Sequence, residues 1–371
     1  MSSLTLRRGL YYLYVLLFLI TAPLVVLYTA GYRFDFQTHH FVKTGALSVA
    51  TEPKNAQIIL NDETQFTRTP NILKNVIPGV YTLRFTKADY HDWMREIQIA
   101  SRQTTVVEGI SLFLDAPTEH LFDSAEMKTA GPSDTEATFL YVNEGASWFE
   151  VWQGDNTGVE TLRDRVAVAD GLTSEDVLRQ TLAPTLTSYH LTPRANDVLL
   201  TKKPSAGATP LAILPAGKYR DVQESGNLLL LFDPQAHRLV LVDTNTQGPP
   251  ILLNTMSSYF HWTDNALVYG DGLEVHVYNT ATLDDALITR SGDTVRDAWL
   301  INPHTFLLTF ENRIVAYDVS DPARPVTTTL ADGSGFIHGW VSENKKIAYL
   351  FVHDSNAYGA GGAVLRLPLQ K

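Results

Sequence analysis

From Leu10 to Ala30 the chain runs 21 residues without a charged side chain, and this constrains its fold more than any other feature. At 1.5 Å rise per residue a helix of that length reaches about 31 Å, close to the roughly 30 Å hydrocarbon core of a bilayer. Leu, Val, Tyr and Phe dominate the run, and Thr21 and Thr29 offer no polar face. Pro23 would break a helix interior in water but is tolerated within a membrane span. Tyr11, Tyr12 and Tyr14 at one end, with Tyr28 and Tyr32 at the other, stand where interfacial aromatic belts form. A cleaved signal peptide competes with this reading. It needs an apolar core of about 7–15 residues and a site of small residues, whereas here the run is longer and Tyr28 stands before Thr29-Ala30. The expectation is an uncleaved transmembrane helix over residues 10–31 in contact with the lipid bilayer. Arg7 and Arg8 lie in residues 1–9, so the positive-inside tendency predicts a cytoplasmic N-terminus and a single-pass, extracytoplasmic bulk.

The soluble remainder is acidic. Of a formal charge of −11, from 40 acidic and 29 basic residues, Arg7 and Arg8 contribute +2, so the rest carries −13. Such an exterior disfavours a nucleic-acid groove or an anionic lipid surface. There is no cysteine, which excludes disulfide frameworks, thiolate metal sites and thiol nucleophiles together. Hydrophobic residues at 44% and charged ones at 19% suffice for packed cores rather than disorder.

After a link over residues 32–44, period-2 alternation marks short antiparallel strands. Leu47 and Val49 form one apolar face; Ala56, Ile58 and Leu60 form another, ended by the turn-like run Asn61-Asp62-Glu63-Thr64. Pro78-Gly79 introduces Tyr81, Leu83 and Phe85, followed by Ile97 and Ile99, then Ile110, Leu112 and Leu114. Residues 45–115 resemble the PEGA domain, a small β module of bacterial and archaeal envelope proteins. The resemblance is carried by Pro53-Lys54-Asn55-Ala56 with Ile58, Thr69-Pro70, Pro78-Gly79 with Tyr81, and Tyr90 with Trp93. Asp89 departs from it, standing where the family usually has glycine. Gly31-Tyr32-Arg33-Phe34 after a span also resembles one group of bacterial membrane-anchored members. The resemblance implies a protein- or envelope-binding module. Read physically, Pro and Gly fix its turns and Tyr81, Tyr90 and Trp93 pack its small core.

Residues 118–371 repeat. Trp262, Trp299 and Trp340 recur at spacings of 37 and 41. Each precedes a polar turn (Thr263-Asp264-Asn265, Asn302-Pro303-His304, Ser342-Glu343-Asn344) and then an apolar strand (Leu267 to Tyr269, Phe306 to Leu308, Ile347 to Tyr349). Strands ending in Asp243, Asn279 and Asp318 follow the same rhythm, and Val364 to Leu367 closes the last unit. Upstream, Phe139 to Val142 with Trp148 to Trp152 reads as a hairpin, as does Val198 to Thr201 with Leu211 to Leu214; Leu228 to Phe232 reads as a third. Thr129 to Thr138 reads as a loop, and Thr173-Ser174-Glu175-Asp176 as a helix N-terminus. A period near 40 with several strands per unit predicts a β-propeller-like domain of about five or six blades. The alternative is two β-sandwich domains. The fold class is thus all-β, apart from the one membrane helix.

No chemistry-bearing motif stands out. The eleven histidines include an adjacent His39-His40 pair but no HExxH and no His-x-His, and they read as solvated or strand-edge residues. Ser334 in Asp332-Gly333-Ser334-Gly335 reads as a turn, Gly359 to Gly362 as a hairpin tip, and the Asp-Gly pairs at 271 and 332 as hairpin turns. No catalytic, cofactor-binding or metal-ligating residue is assigned and no cofactor is expected. The expected function is a non-catalytic binding or scaffolding protein of the bacterial cell envelope, engaging an envelope protein or glycan. The alternative is an envelope glycan- or peptide-processing hydrolase or lyase with its site at the propeller axis. Acidic residues or histidines converging on that axis favour the alternative; an axis of backbone and small residues favours the first reading.

Overall fold

The computed structural model describes residues 3–35, 39–133, 138–155, 157, 159–169, 172–182, 189–202, 210–219, 221–246, 248–253, 257–263, 266–342, 344–353 and 361–371. They divide into two compact units, Met1–Leu112 and Phe113–Lys371.

In the first unit, α1 (Ser3–Thr29) is exposed along its apolar length and contains Pro23. The stretch expected as a plain link instead pairs β1 (Tyr32–Asp35) with β2 (His40–Lys43). Phe34 meets Phe41 edge-on across this pair. The Arg33 guanidinium lies 3.7 Å over the Tyr28 ring and donates to the Tyr28 carbonyl, while the Thr44 amide and hydroxyl both donate to the Gly31 carbonyl. These bonds satisfy carbonyls that the helix end leaves without partners.

Seven strands follow in two sheets. One orders β6 (Asn71–Val76), β3 (Gly45–Glu52) and β9 (Thr104–Ser111), with β3 and β9 parallel. The other orders β5 (Glu63–Arg68), β4 (Gln57–Leu60), β7 (Gly79–Thr86) and β8 (Trp93–Ile99). Alternation decides the core: in β8 every odd residue from Trp93 to Ile99 is buried and every even one exposed. Phe85 stacks on Trp93, and Tyr90 is buried, but Tyr81 is only half-buried, its hydroxyl donating to the Ile77 carbonyl. Asp89 takes φ 67°, the left-handed backbone for which glycine is the usual choice. The turn after β4 is confined to Asn61 and Asp62, both at positive φ, so Glu63 and Thr64 already belong to β5.

Among the described residues the second unit is a β-propeller of six antiparallel sheets. Blade one holds β11 (Met127–Pro132), β12 (Thr138–Glu144), β13 (Trp148–Asp155) and β14 (Glu160–Ala167), preceded in the chain by β10 (Glu119–Ser124). Helix α2 (Ser174–Leu182) leads to blade two: β15 (Tyr189–Pro193), β16 (Asp197–Lys202) and β17 (Ala212–Pro215). Blade three is β18 (Asp221–Ser225), β19 (Leu228–Asp233), β20 (Arg238–Asp243) and β21 (Ile251–Leu252). Blade four is β22 (Tyr259–Thr263), β23 (Ala266–Gly270), β24 (Glu274–Asn279) and β25 (Asp284–Arg290). Blade five is β26 (Val295–Asn302), β27 (Thr305–Phe310), β28 (Arg313–Asp318) and β29 (Val326–Asp332). Blade six is β30 (Phe336–Val341), β31 (Ile347–Val352) and β32 (Gly362–Pro368), and β10 completes it as the outer strand, running antiparallel to β32. The chain's first propeller strand therefore closes the ring onto its last, an arrangement two separate sandwiches would not need.

Packing between blades supplies the core. Where a neighbour covers both faces of a blade's second strand, both are buried: β19 and β27 are buried at every residue. Separate apolar clusters join blades two and three, three and four, four and five, five and six, and six and one. On its other face, blade one packs Val142 and Val151 against Val177 and Leu178 of α2.

The recurrent acid or amide has a local cause. The side-chain oxygens of Asp243, Asn279 and Asp318 accept from the amides two residues on, of Asn245, Ala281 and Ser320. Each closes an Asx turn as the third strand ends. Two sequence readings are corrected. Residues 129–132 form most of β11 rather than a loop, and Asp332-Gly333 joins blade five to blade six rather than turning a hairpin. Asp271-Gly272 does turn one, with Gly272 at φ 94° and the Asp271 carboxylate accepting from Leu273 and Glu274. Residues 134–137, 264–265, 343 and 359–360, within the loop and turns read from the sequence, lie outside the described residues.

Candidate functional site

The innermost strands meet around a pocket at the propeller axis, with room of about 110 Å³ for the centres of water-sized molecules. β11, β18, β22, β26 and β30 each contribute their third residue to its wall: Thr129, Gln223, His261, Asp297 and His338. Three of these five follow a break in strand register, between Met127 and Thr129, Val295 and Asp297, and Phe336 and His338. Such bulges re-aim a side chain without ending the strand. From the other direction α2 delivers Glu175, Leu178 and Arg179. A capping box fixes that helix: the Asp176 amide donates to the Thr173 hydroxyl, and the Asp176 carboxylate accepts from the Thr173 amide.

Acids and bases alternate across the pocket. His261 Nε2 stands 2.5 Å from Asp297 Oδ1. His338 Nδ1 lies 3.6 Å from Asp297 Oδ2, an ion-pair separation, while His338 Nε2 is 2.8 Å from Glu175 Oε1. Glu175 in turn faces Arg179 at 3.6 Å. Asp297, only 3% exposed, also accepts from its neighbour's amide at Ala298 and from the Trp299 indole. The His261 ring stacks on Trp299 at 4.2 Å. Arg179 lies over the Phe232 and Phe260 rings at 5.6 and 5.5 Å.

This network sets the proton affinities. Burial opposes charge on the His338 imidazole, but the flanking Asp297 and Glu175 carboxylates outweigh it and push His338 up to about 9. Burial likewise pushes the Asp297 carboxyl up, yet His261 and His338 pull harder and hold it below the ordinary carboxylate range. The hydrogen bond from His338 lowers Glu175 against the effect of burial. Burial, reinforced by Asp297 and Asp271, raises the Tyr259 phenol.

A pH profile follows. The folded value of His338 exceeds its unfolded value of about 6.5, so its contribution is complete below that pH and is lost as pH rises through about 9. Asp297 and Glu175 run the other way, contributing above their unfolded values near 4 and losing that contribution as pH falls through their lowered folded values. Propeller stability is therefore expected to peak between about pH 4.5 and 6.5. From there to pH 9.5 it should drop by on the order of 3 kcal/mol. Urea midpoints across that range measure the drop, and His338→Asn should flatten it; an equally steep alkaline limb in the variant would show that another group is responsible.

The sequence assigned none of these residues to a site. Its reading of histidines as solvated or strand-edge fails for His261 and His338, which line the pocket, and for His276, which is buried against Glu274 and stacked on Tyr269. The available signal was the residue shortly before each repeated tryptophan: His261 before Trp262, Asp297 two before Trp299, and His338 two before Trp340. Those tryptophans sit on the innermost strands of three successive blades, Trp340 buried and Trp262 and Trp299 partly so. Among the described residues, no three His, Asp or Glu side chains are arranged to hold a metal ion. The axis is thus lined by the acids and histidines that the hydrolase reading calls for.

No curated protein is similar in sequence to the chain. Among solved structures, the chain is similar to regucalcin, described as a calcium-binding protein, from Agrobacterium tumefaciens (10% identity, 69% of this chain and 95% of that one, TM-score 0.40). It is also similar to the Pan2 WD40 domain of Neurospora crassa (11%, 78% and 88%, TM-score 0.37) and to Hsv2p of Kluyveromyces lactis (9%, 61% and 73%, TM-score 0.36). Residues 44–109, the two-sheet module built on Trp93 and Phe85, match the PEGA domain.

Proposed function

We propose that the chain is a membrane-anchored binding or scaffolding protein of the bacterial envelope, held by α1, spaced by the PEGA domain and engaging its ligand through the propeller axis without changing it chemically. The observation that carries this reading is the state of the pocket's charged groups. Both Asp297 and Glu175 are occupied by His261, His338 and Arg179, so they act as a frame around a pocket whose remaining wall is largely apolar: Leu178, Phe260, Trp299 and Trp340. No serine lines it among the described residues, and the chain has no cysteine. A general base must reach the proton it abstracts, and a nucleophile needs such a base beside it; here Asp297 and Glu175 face the His261 and His338 imidazoles.

A second reading, catalysis at the axis, is favoured by the His261–Asp297 pair, since a buried carboxylate that orients an imidazole is the supporting half of a hydrolytic triad. One experiment separates the two. The purified full chain in detergent is incubated with cell-wall glycans, peptides and ester substrates. Binding without turnover supports the first reading, whereas turnover that disappears with His261→Asn overturns it.

Anchoring is supported by the length of α1 and by its apolar residues, none of which is buried in the span. Protease added outside intact spheroplasts is expected to degrade nearly all of the chain beyond residue 31. A protected soluble fragment would reverse the orientation, and a mature N-terminus near residue 31 would replace the anchor by a cleaved signal.

A further inference from the structure

Two strands of four residues, β1 and β2, follow α1 and are too short to enclose a core of their own. A two-stranded hairpin is marginal in water and needs a surface to pack on. Cross-strand partners project from one face, so the register Tyr32↔Lys43 and Phe34↔Phe41 gathers three aromatic rings and an ammonium on the same side. The Phe34 and Phe41 rings meet edge-on at 5.3 Å, and the Lys43 ammonium lies 5.9 Å from the centre of the Tyr32 ring. Phe41 remains 50% exposed. Arg33, Asp35, His40 and Val42 take the opposite face. There the Arg33 guanidinium covers the Tyr28 ring. Burial first and the Asp35 charge second raise the phenol of Tyr81, so Asp35 lies within electrostatic reach of β7.

The chain limits where this aromatic face can be. Tyr32 follows the last residue of α1, Thr29, by three positions, and three residues reach at most about 11 Å. The headgroup layer on each side of the hydrocarbon core is roughly 5–8 Å deep. Tyr32 and its partner Lys43 therefore stand within or at the edge of that layer. Aromatic rings and cationic side chains are the groups it favours. We propose that the β1–β2 hairpin is a lipid-binding element: the face of Tyr32, Phe34 and Phe41 lies among phospholipid headgroups on the PEGA side of the bilayer, with Lys43 and Arg33 meeting lipid phosphates. This rests on the reading of α1 as a membrane span and extends it to the residues beyond. Among the described residues neither cation pairs with a carboxylate. Arg33 donates through Nη1 to the Tyr28 and Tyr32 carbonyls, and Lys43 Nζ rests over the Tyr32 ring. The acidic exterior does not oppose the contact, because residues 31–44 hold two cations against the single carboxylate of Asp35. Zwitterionic lipids carry the same phosphate as anionic ones. A second copy of the chain is the competing occupant of this face.

The chain has no cysteine, so single cysteines can carry a nitroxide in the full chain, reconstituted into phosphatidylcholine vesicles. Three positions are compared by collision with oxygen, which concentrates in the bilayer, and with a water-soluble nickel chelate. They are Leu16→Cys in the span, Phe41→Cys on the hairpin, where the nitroxide is itself an apolar ring, and Leu287→Cys on the exposed outer strand of blade four. The oxygen-to-nickel ratio at position 41 is expected to be at least about threefold that at 287 and below that at 16, as an interfacial depth requires. Arg33→Gln should move the position-41 label toward the ratio at 287. Because Arg33 also caps α1, Lys43→Gln provides the milder check and should move it the same way. A position-16 label with the ratio of position 287 would overturn the membrane-span reading and this one with it. A position-16 label in the bilayer with position 41 in water would overturn the hairpin proposal alone. Spin–spin broadening at position 41 that vanishes on dilution with unlabelled chain would give the face to a second copy instead. An unchanged depth in both Arg33→Gln and Lys43→Gln would overturn the phosphate contacts.

Discussion

Replacing Asp297 by alanine is expected to destabilise the propeller by about 3–5 kcal/mol, the range seen when one partner of a buried ion pair is removed. The substitution strips His261 of its closest partner and leaves His338 with Glu175 alone, while the Ala298 amide and the Trp299 indole lose their acceptor. Asp297→Asn should cost less, because it keeps the acceptor oxygen and the shape and gives up only the charge. The unfolding midpoint in urea measures both, and NMR titration of His338 gives an independent reading, since its value of about 9 should fall once the Asp297 charge is gone. Wild-type stability in Asp297→Ala would mean the axis network contributes nothing net, and the pH profile would then need another origin.

Deleting residues 362–371 is expected to abolish propeller folding altogether. These residues form β32, which pairs with β31 on one edge and β10 on the other. They also bury Val364, Leu365, Leu367 and Leu369. At about 1.5–3 kcal/mol for each large apolar side chain, the loss is roughly 6–12 kcal/mol, comparable to the whole stability of a typical domain. In the intact chain, calorimetry should show residues 113–371 melting as one transition, because five shared apolar clusters tie successive blades together. Stepwise loss of the blades would contradict the role assigned to closure.

The blades were legible wherever strand order could be read from side chains that packing requires. The second strands each carry an apolar run, and β20, β24 and β28 end in an Asx turn, so both left a mark at a regular interval. One innermost strand is different: β11 reads Met-Lys-Thr-Ala-Gly-Pro, with no apolar run and a terminal proline, which from sequence is indistinguishable from a loop. Edge strands hid for a related reason. β5 is exposed apart from Gln65, its single apolar residue Phe66 included, so nothing in Glu-Thr-Gln-Phe-Thr-Arg marks a buried face. The axis site was illegible because its members come from separate blades. His261, Asp297 and His338 lie 36 and 41 residues apart and become neighbours only once the ring is closed. The helix carrying Glu175 and Arg179 was legible from its capping residues, but nothing in nine residues said that it reaches the axis.

Closure by β10 also sets a timetable. The strand leaves the ribosome roughly 240 residues before the β32 segment with which it must pair. At about 5–20 residues per second, that is a wait of roughly ten to fifty seconds with an open edge. Unpaired edges recruit other chains, and charged side chains are the common safeguard. β10 carries Glu119, His120 and Asp123 among its six residues, so the strand that waits longest is the one whose own charges discourage the wrong partner.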